Sequence, residues 1–418
     1  LSNRCLLFYY QDNILEKQPR LEGSALADGG HMEISRPRQR AIIVLVGTQL
    51  LIMLGIGLII PVEPYIKADL NLTSTDMGIM MALFAFVQFV ASPIIGRLSD
   101  RFARKPLIAA GLLIYALGEF MFAAGTQLWH LDVARAIGGL SAALAMPTTQ
   151  ALAADMTTPA NRAKVVGWLS AALSGGLILG PGIGGVLASI DHKLPFWAAG
   201  VLGVLSFIAF LIWMPREADL VVTRDEQMAR EAHTTGWPLA LILLLGMILV
   251  SSFGLTAFES MFSLYFHDVR GFDLAEIAWF LIINGVASLI FQVVLFERMV
   301  RTVGELRVIR YSFFASMLAV GWILFAGQKW EVFIATLIVF VGFDVLRPAI
   351  TTLLAKVSEG RQGLMNGLNL SLTSIGNVVG PIVGGLLLDA SPVLPYSFVA
   401  VILLIAGGLT WFIRFDAR

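Results

Sequence analysis

About twelve stretches of this chain are each long and apolar enough to cross a lipid bilayer, and that succession limits the fold more than any other feature. A spanning helix needs roughly 20 predominantly apolar residues. Such stretches fall at 41–62, 75–96, 105–125, 129–153, 163–187, 194–214, 238–264, 274–296, 306–327, 330–354, 365–388 and 395–415. They are called spans 1 to 12 below. Inside a bilayer no water satisfies backbone polar groups, so only helices and closed barrels cross it. A barrel predicts alternating segments of about ten residues. Unbroken apolar runs such as Leu239 to Val250 exclude it. Composition agrees: 57% of residues are hydrophobic and 14% charged, against about 45–50% and about 25% in soluble domains.

The chain is also written twice. Gly176, Gly180, Pro181, Gly184 and Gly185 recur 200 positions later as Gly376, Gly380, Pro381, Gly384 and Gly385. Ser174 with Ser374 and Gly167 with Gly367 keep the same register. With 40 glycines in 418 residues one match would mean little, but a run in fixed register means duplication. The expected architecture is an all-α membrane protein of twelve transmembrane helices. They form two six-helix halves, 32–214 and 238–418, related by a parallel pseudo-two-fold. Secondary transporters are among the proteins built this way. The polar stretch 215–237 falls where the repeat puts the boundary, and reads as a cytoplasmic linker with an amphipathic helix. Residues 1–31 do not share the pattern. Gly29-Gly30-His31-Met32 resembles a cloning junction, so 1–31 is expected to be a tag or vector-derived tail.

Basic residues orient the spans, because Lys and Arg concentrate in short cytoplasmic loops. With the native N-terminus inside, the inside segments hold 20 Lys and Arg; the outside segments hold four, Lys67, Lys193, Arg270 and Lys329. Both native ends are expected in the cytoplasm. Formal net charge is zero, so the totals show no nucleic-acid footprint. The single cysteine, Cys5, excludes disulfides within the chain and cysteine metal sites. The five histidines, His31, His130, His192, His233 and His267, show no metal-ligand spacing. No phosphate-binding Gly-x-x-x-x-Gly-Lys-Ser/Thr loop is present to couple ATP.

Charges inside the spans are the candidates for function, since an intramembrane charge costs at least about 2.5–3.5 kcal/mol without a cavity or partner. Arg135 stands in span 4, where pairing with Glu119 or Asp132 is the structural alternative to a gating role. Glu259 is the carboxylate of span 7, with Ser252, Thr256, Phe262, Ser263 and Phe266 near its face by helical spacing. In span 10, Asp344 and Arg347 are three apart and can pair on one face, and Pro348 should kink the helix. In span 5, Gly176, Gly180 and Gly184 share a face that permits close packing, with Pro181 bending the helix.

The loop after span 2, Gly96-Arg97-Leu98-Ser99-Asp100-Arg101-Phe102-Ala103-Arg104-Lys105-Pro106, resembles the signature of the major facilitator superfamily. Ala103 departs from the family's second glycine. The resemblance implies the major facilitator fold. It also implies a conformational latch at Gly96, Asp100, Arg101 and Arg104, with Gly96 allowing two helices to approach. In the second half Glu297-Arg298 occupies the corresponding place in degenerate form. Leu131 to Gly139 looks like the family's membrane-arginine motif. Gly175 to Gly185 looks like its antiporter motif, with Gly176, Gly180, Pro181, Gly184 and Gly185 in place.

Phe258 to Phe266, Phe340 to Thr351, Arg361 to Asn369 and Gly96 to Arg101 sharpen this to the NorA type of bacterial multidrug efflux pump, similar from about residue 41 to 390. The resemblance implies a proton-coupled antiporter that exports amphipathic, often cationic drugs or dyes, and is not an enzyme. Glu259, Asp344 and Arg135 would couple protons. Glu259, Phe262, Ser263, Arg347, Asn366 and Asn369 would line the cavity. It implies no metal or cofactor, the proton gradient as driving force, a functional monomer and residence in the bacterial cytoplasmic membrane. A facilitator or symporter importing a small metabolite is the alternative.

Overall fold

The computed structural model describes residues 36–101, 103–157, 159–215, 239–357 and 362–411, whose regular structure is entirely helical. The expected tail 1–31 and residues 216–237 of the expected linker lie outside them. Residues from Pro37 onward form one compact unit.

Among the described residues the helices make up twelve spans, two of them broken. Span 1 runs Arg36–Ile59, tightens to a 3-10 turn at Ile60–Val62, and continues as Glu63–Asp69. Pro61 and Pro64 sit in the first turns of the last two pieces, where a missing N–H costs no helical bond. Span 8 runs Leu274–Ile290, widens to a π turn at Phe291–Leu295, and ends as Phe296–Val303. The others are Ser74–Arg101, Arg104–Ala124, Leu128–Asp155, Pro159–Ala188, Leu194–Trp213, Leu239–Asp268, Glu305–Phe325, Lys329–Val357, Gln362–Ala390 and Leu394–Leu409. Among the described residues nine helices are long and apolar enough to cross a membrane, and two more, Leu274–Ile290 and Leu394–Leu409, are apolar but shorter. Span 4 is the remaining one, with Asp132 and Arg135 in its path.

The repeat is visible in local chemistry. Span 2 starts at a reciprocal cap, with Asp76 N–H donating to Thr73 Oγ1 at 3.0 Å and Thr73 N–H to Asp76 Oδ2 at 2.8 Å. Span 8, 200 residues on, starts with the same device: Glu276 N–H donates to Asp273 Oδ1 at 2.7 Å and Asp273 N–H to Glu276 Oε2 at 2.9 Å.

The doubled glycine motif organises the packing. A Cβ at Gly176, Gly180 or Gly184 would lie 2.6 Å from Leu54 N, 2.6 Å from Gly57 Cα or 2.1 Å from Leu58 O, so span 5 lies directly on the backbone of span 1. Gly376, Gly380 and Gly384 lay span 11 on span 7 at Phe253, Ala257 and Met261 in the same manner. The last glycine of each copy reaches across the repeat. A Cβ at Gly185 would meet Ala278 of span 8 at 2.8 Å, and one at Gly385 would meet Ser74 of span 2 at 2.5 Å. Spans 2 and 11, and spans 5 and 8, form the large contacts between the repeats. Within the repeats, spans 3 and 4 correspond to spans 9 and 10, and spans 3 and 6 to spans 9 and 12.

The interiors of the repeats differ. The second is filled by an aromatic core in which Phe258, Phe262, Phe266, Phe280, Phe340 and Tyr396 touch edge to face or tilted, with centroids 4.2–6.2 Å apart. The first encloses open space.

Candidate substrate cavity

A cavity of about 330 Å³ lies between the repeats and is walled mainly by the first. Small-molecule sites typically span roughly 300–1,000 Å³. Ile52, Ile56, Ile59 and Ile66 line it from span 1, Met77, Met80, Met81 and Phe84 from span 2, and Phe122 and Phe196 from spans 3 and 6. Thr256, Glu259 and Ser260 of span 7 and Asn377 and Pro381 of span 11 close it from the second repeat.

Three carboxylates and one cation interrupt this apolar wall: Glu63, Glu119, Glu259 and Arg135. Arg135 Nη2 stands 3.9 Å from Glu119 Oε2, and its guanidinium lies 4.3 Å from the centre of the Phe122 ring. At 3.9 Å the pair is an ion pair without a hydrogen bond, and both facing atoms are buried without a hydrogen-bond partner. Tyr115 brings a buried hydroxyl, also unpartnered, into the same wall. Glu63 is buried at 8% exposure, whereas Glu259 is open to the cavity. Among the described residues neither has an ion pair or a hydrogen bond from its side chain. Thr256, one turn from Glu259, donates its hydroxyl to Gly376 O at 2.9 Å, which ties span 7 to span 11.

The sequence-derived candidates divide. Glu259 and Arg135 enter the cavity. Phe262 and Ser263 do not: both are 1% exposed, Phe262 inside the aromatic core and Ser263 with a buried, unpartnered hydroxyl. The spacing that put them near the face of Glu259 is correct, but that flank of span 7 turns into its own repeat. Arg347 and Asn369 are also absent from the lining, and the side chain of Asn366 lies outside the described residues. Asp344 is half-buried and apart from the cavity lining. Arg347, three residues on, is exposed, and the two form no ion pair among the described residues, but the charges of both act on Glu259. Among the described residues no helix approaches Gly96: a Cβ there would meet none of them within 4 Å. The side chains of Asp100, Arg101 and Glu297 lie outside the described residues. Arg104 pairs with Asp155 at the end of span 4, 3.0 Å away.

Glu63 is the residue that sequence reasoning missed. It sits between Pro61 and Pro64 at the expected end of span 1, where an acid reads as a loop residue. The signal was present in the flanking run, because Tyr65 and Ile66 continue the apolar pattern past it. Its repeat position, 200 residues on, is Ser263.

The repeats are held together on one side of the cavity, the face formed by the loops that follow odd-numbered spans. Lys67 Nζ bonds Asp268 Oδ2 at 2.6 Å. Asp389 of span 11 accepts from Ser74 N–H and Thr75 N–H, each at 2.8 Å, and from Thr75 Oγ1 at 2.5 Å. The Tyr65 ring touches His267 of the other repeat, with centroids 4.8 Å apart.

A duplicated bundle of apolar helices with a charged, otherwise apolar cavity between its repeats defines a multi-pass membrane transporter of the two-half type. The chain belongs to the Major Facilitator Superfamily, whose family model matches residues 45–345 and 244–418. It is 42% identical over 362 residues to multidrug resistance protein 1 of Bacillus subtilis (strain 168), covering 85% of this chain and 92% of that one. It is 37% identical over 351 residues to quinolone resistance protein NorA of Staphylococcus aureus (strain COL), covering 84% and 90%. Among solved structures, a bacterial homologue of the human lysosomal transporter Spinster superposes with a TM-score of 0.74 at 16% identity, covering 90% of this chain and 97% of that one. The nucleoside transporter NupG superposes with a TM-score of 0.70 at 14% identity, covering 91% and 100%. Those two likenesses concern the fold alone.

Proposed function

We propose that this protein exports amphipathic, often cationic drugs from the cytoplasm of a bacterium in exchange for protons. The observation that carries the reading is Glu259, a carboxylate in no ion pair among the described residues, which enters an apolar cavity from the repeat opposite most of its wall. Relatives named for multidrug and quinolone resistance support it.

The chemistry is a competition. A carboxylate in an apolar wall can hold a proton or a drug cation, and the arrival of one displaces the other. Isoleucine, methionine and phenylalanine faces would take the apolar body of the drug, with Phe84 and Phe122 available for cation–π contact. The Lys and Arg bias assigns the odd-loop face to the outside and both native ends to the cytoplasm. Residues 32–214 and 238–418 would rock about the cavity as two bodies joined by the linker 215–237. Gly96, Asp100, Arg101 and Arg104 would form the cytoplasmic latch. The motif Gly176, Gly180, Pro181, Gly184 and Gly185 would keep the outer half of span 5 against span 1 during the rocking. Asp344 and Arg135 would assist proton movement, Asp344 from outside the cavity lining and Arg135 by holding Glu119. One proton falling through 100 mV supplies about 2.3 kcal/mol. No metal or cofactor is needed for this cycle, and one chain contains the whole cavity.

The test is drug efflux from vesicles loaded with a fluorescent cationic dye and energised with a proton gradient. Glu259→Gln is expected to abolish gradient-driven export, and Asp344→Asn to reduce it. A proton-collapsing agent should bring the wild type down to the Glu259→Gln rate. Full gradient-driven export in Glu259→Gln would sink the assignment. Dye uptake rather than export, in vesicles of known orientation, would favour an importer.

A further inference from the structure

We propose that Glu63 is a second cation-binding carboxylate, and that with Glu259 it fits this cavity to amphipathic dications, molecules with two positive ends on one apolar body. The inference rests on the reading of the cavity as a drug site and adds to it a residue and a substrate class.

Charge within the cavity carries the argument. Three acids and one cation line it. Arg135 stands 3.9 Å from Glu119; its charge also reaches Glu63, and that of Arg347 reaches Glu259, so the acids of the wall outnumber its one cation by two. Among the described residues neither the Glu63 nor the Glu259 side chain has an ion pair or hydrogen bond. Glu63 is more than nine-tenths buried at 8% exposure, and a buried acid without partners is a costly feature for a fold to keep. Its position is built rather than incidental. Two prolines and a 3-10 turn break span 1 immediately before and after it, and this turns the residue into the cavity.

The two acids also come from opposite sides. Glu259 belongs to span 7, and its repeat position in span 1 is Ile59; Glu63 is one helical turn beyond Ile59, toward the odd-loop face. The wall the two acids share is mostly apolar, with Ile59, Met77 and Met80 available to an alkyl or aromatic linker. A monocation satisfies one carboxylate and leaves the other to its proton. A dication satisfies both, and should therefore displace two protons where a monocation displaces one.

The experiment compares a matched pair of probes on the purified full chain in detergent: decyltrimethylammonium, with one quaternary ammonium head, and decamethonium, with two heads on the same ten-carbon linker. Binding is read by calorimetry in two buffers of different ionisation enthalpy, which also counts the protons released. In the wild type decamethonium should release about one proton more than decyltrimethylammonium. Glu63→Gln should weaken decamethonium about ten-fold, equivalent to about 1.4 kcal/mol, remove the extra proton, and change decyltrimethylammonium less than about two-fold. Glu259→Gln should weaken both. If Glu63→Gln gives no folded protein, Glu63→Ser, which installs the residue of the repeat position, is expected to show the same split. Equal loss for both probes in the Glu63 variant, or no loss for either, overturns the second site and leaves the drug-cavity reading standing. A wild type that binds neither probe overturns both.

Discussion

At the scale of single residues, the cavity is decided by which charges have partners. Glu119 is 5% exposed, and among the described residues of the wall Arg135 is the one cation beside it. Breaking a buried pair from one side is worse than removing both members, because the survivor stays buried and uncompensated. Arg135→Ala is therefore expected to cost about 3 kcal/mol, read as a lower thermal unfolding midpoint in detergent. Adding Glu119→Gln to that variant should recover most of the loss. A double variant no more stable than Arg135→Ala would show that the 3.9 Å contact contributes nothing to the fold. Glu259 was legible in the sequence because it interrupts an unmistakably apolar helix, and Arg135 because it stands in a membrane-arginine motif followed by two glycines. Glu63 was not, since prolines on both sides disguise the last turns of span 1 as a loop. Phe262 and Ser263 misled for a different reason. Helical spacing fixes which residues share a face but not which neighbour that face meets, and the aromatic partners Phe280 and Phe340 come from other spans.

At the scale of helices, the doubled glycine motif sets the distance between backbones. Gly180 is the tightest test, because the atoms a Cβ would strike are main chain: Gly57 Cα at 2.6 Å and Leu54 O at 2.7 Å. Nothing there can rotate away, so spans 1 and 5 must separate. At Gly380 the nearest atom is the Thr256 hydroxyl at 2.3 Å, a side chain that can move, with Ala257 N next at 3.0 Å. Gly167, on the same helix as Gly180, would meet nothing within 4 Å. Alanine should therefore destabilise most at 180 and less at 380. At 167 it should be neutral, or stabilising by up to about 1 kcal/mol through helix propensity. Thermal unfolding of the three variants gives the order directly, and a Gly167→Ala loss as large as that of Gly180→Ala would refute the packing account. The twelve spans and their duplication were readable because lipid demands length and apolarity from each helix. The π turn of span 8 and the 3-10 break of span 1 were less so, since they change local winding without interrupting the apolar run. The same limit explains Gly96. A glycine permits close approach but does not compel it, and none of the described residues comes close to Gly96.

At the scale of the whole molecule, the polar contacts between repeats among the described residues gather at one face. Lys67–Asp268, Asp389 with Ser74 and Thr75, and Tyr65 against His267 all lie toward the odd-loop face. Toward the other face, the described ion pairs Arg104–Asp155 and Lys356–Glu305 each stay within one repeat. A Cβ at Gly96, Gly167 or Gly367, at that end of spans 2, 5 and 11, would meet none of the described residues within 4 Å. The odd-loop face is closed in this structure, and its closing contacts differ in strength. Lys67 and Asp268 are partly exposed, with side-chain exposures of 20% and 36%, and an exposed ion pair contributes about 0–1 kcal/mol. Asp389 accepts three hydrogen bonds, two of them from the free backbone N–H groups that open span 2, where a carboxylate also meets the positive end of the helix dipole. Hydrogen bonds to a charged group contribute about 1.5–3 kcal/mol each, and water recovers part of that when the face opens. Asp389→Ala is therefore expected to raise the odd-face-open population about ten-fold, and Lys67→Ala about two-fold or less. Spin labels on Thr126→Cys and Gln328→Cys, placed in the odd-numbered loops of the two repeats in a Cys5→Ser background, report the opening as a longer distance between them. Equal shifts in the two variants would mean that closure is held by charge in general; a larger shift for Asp389→Ala places the hold at the helix end where span 11 meets span 2.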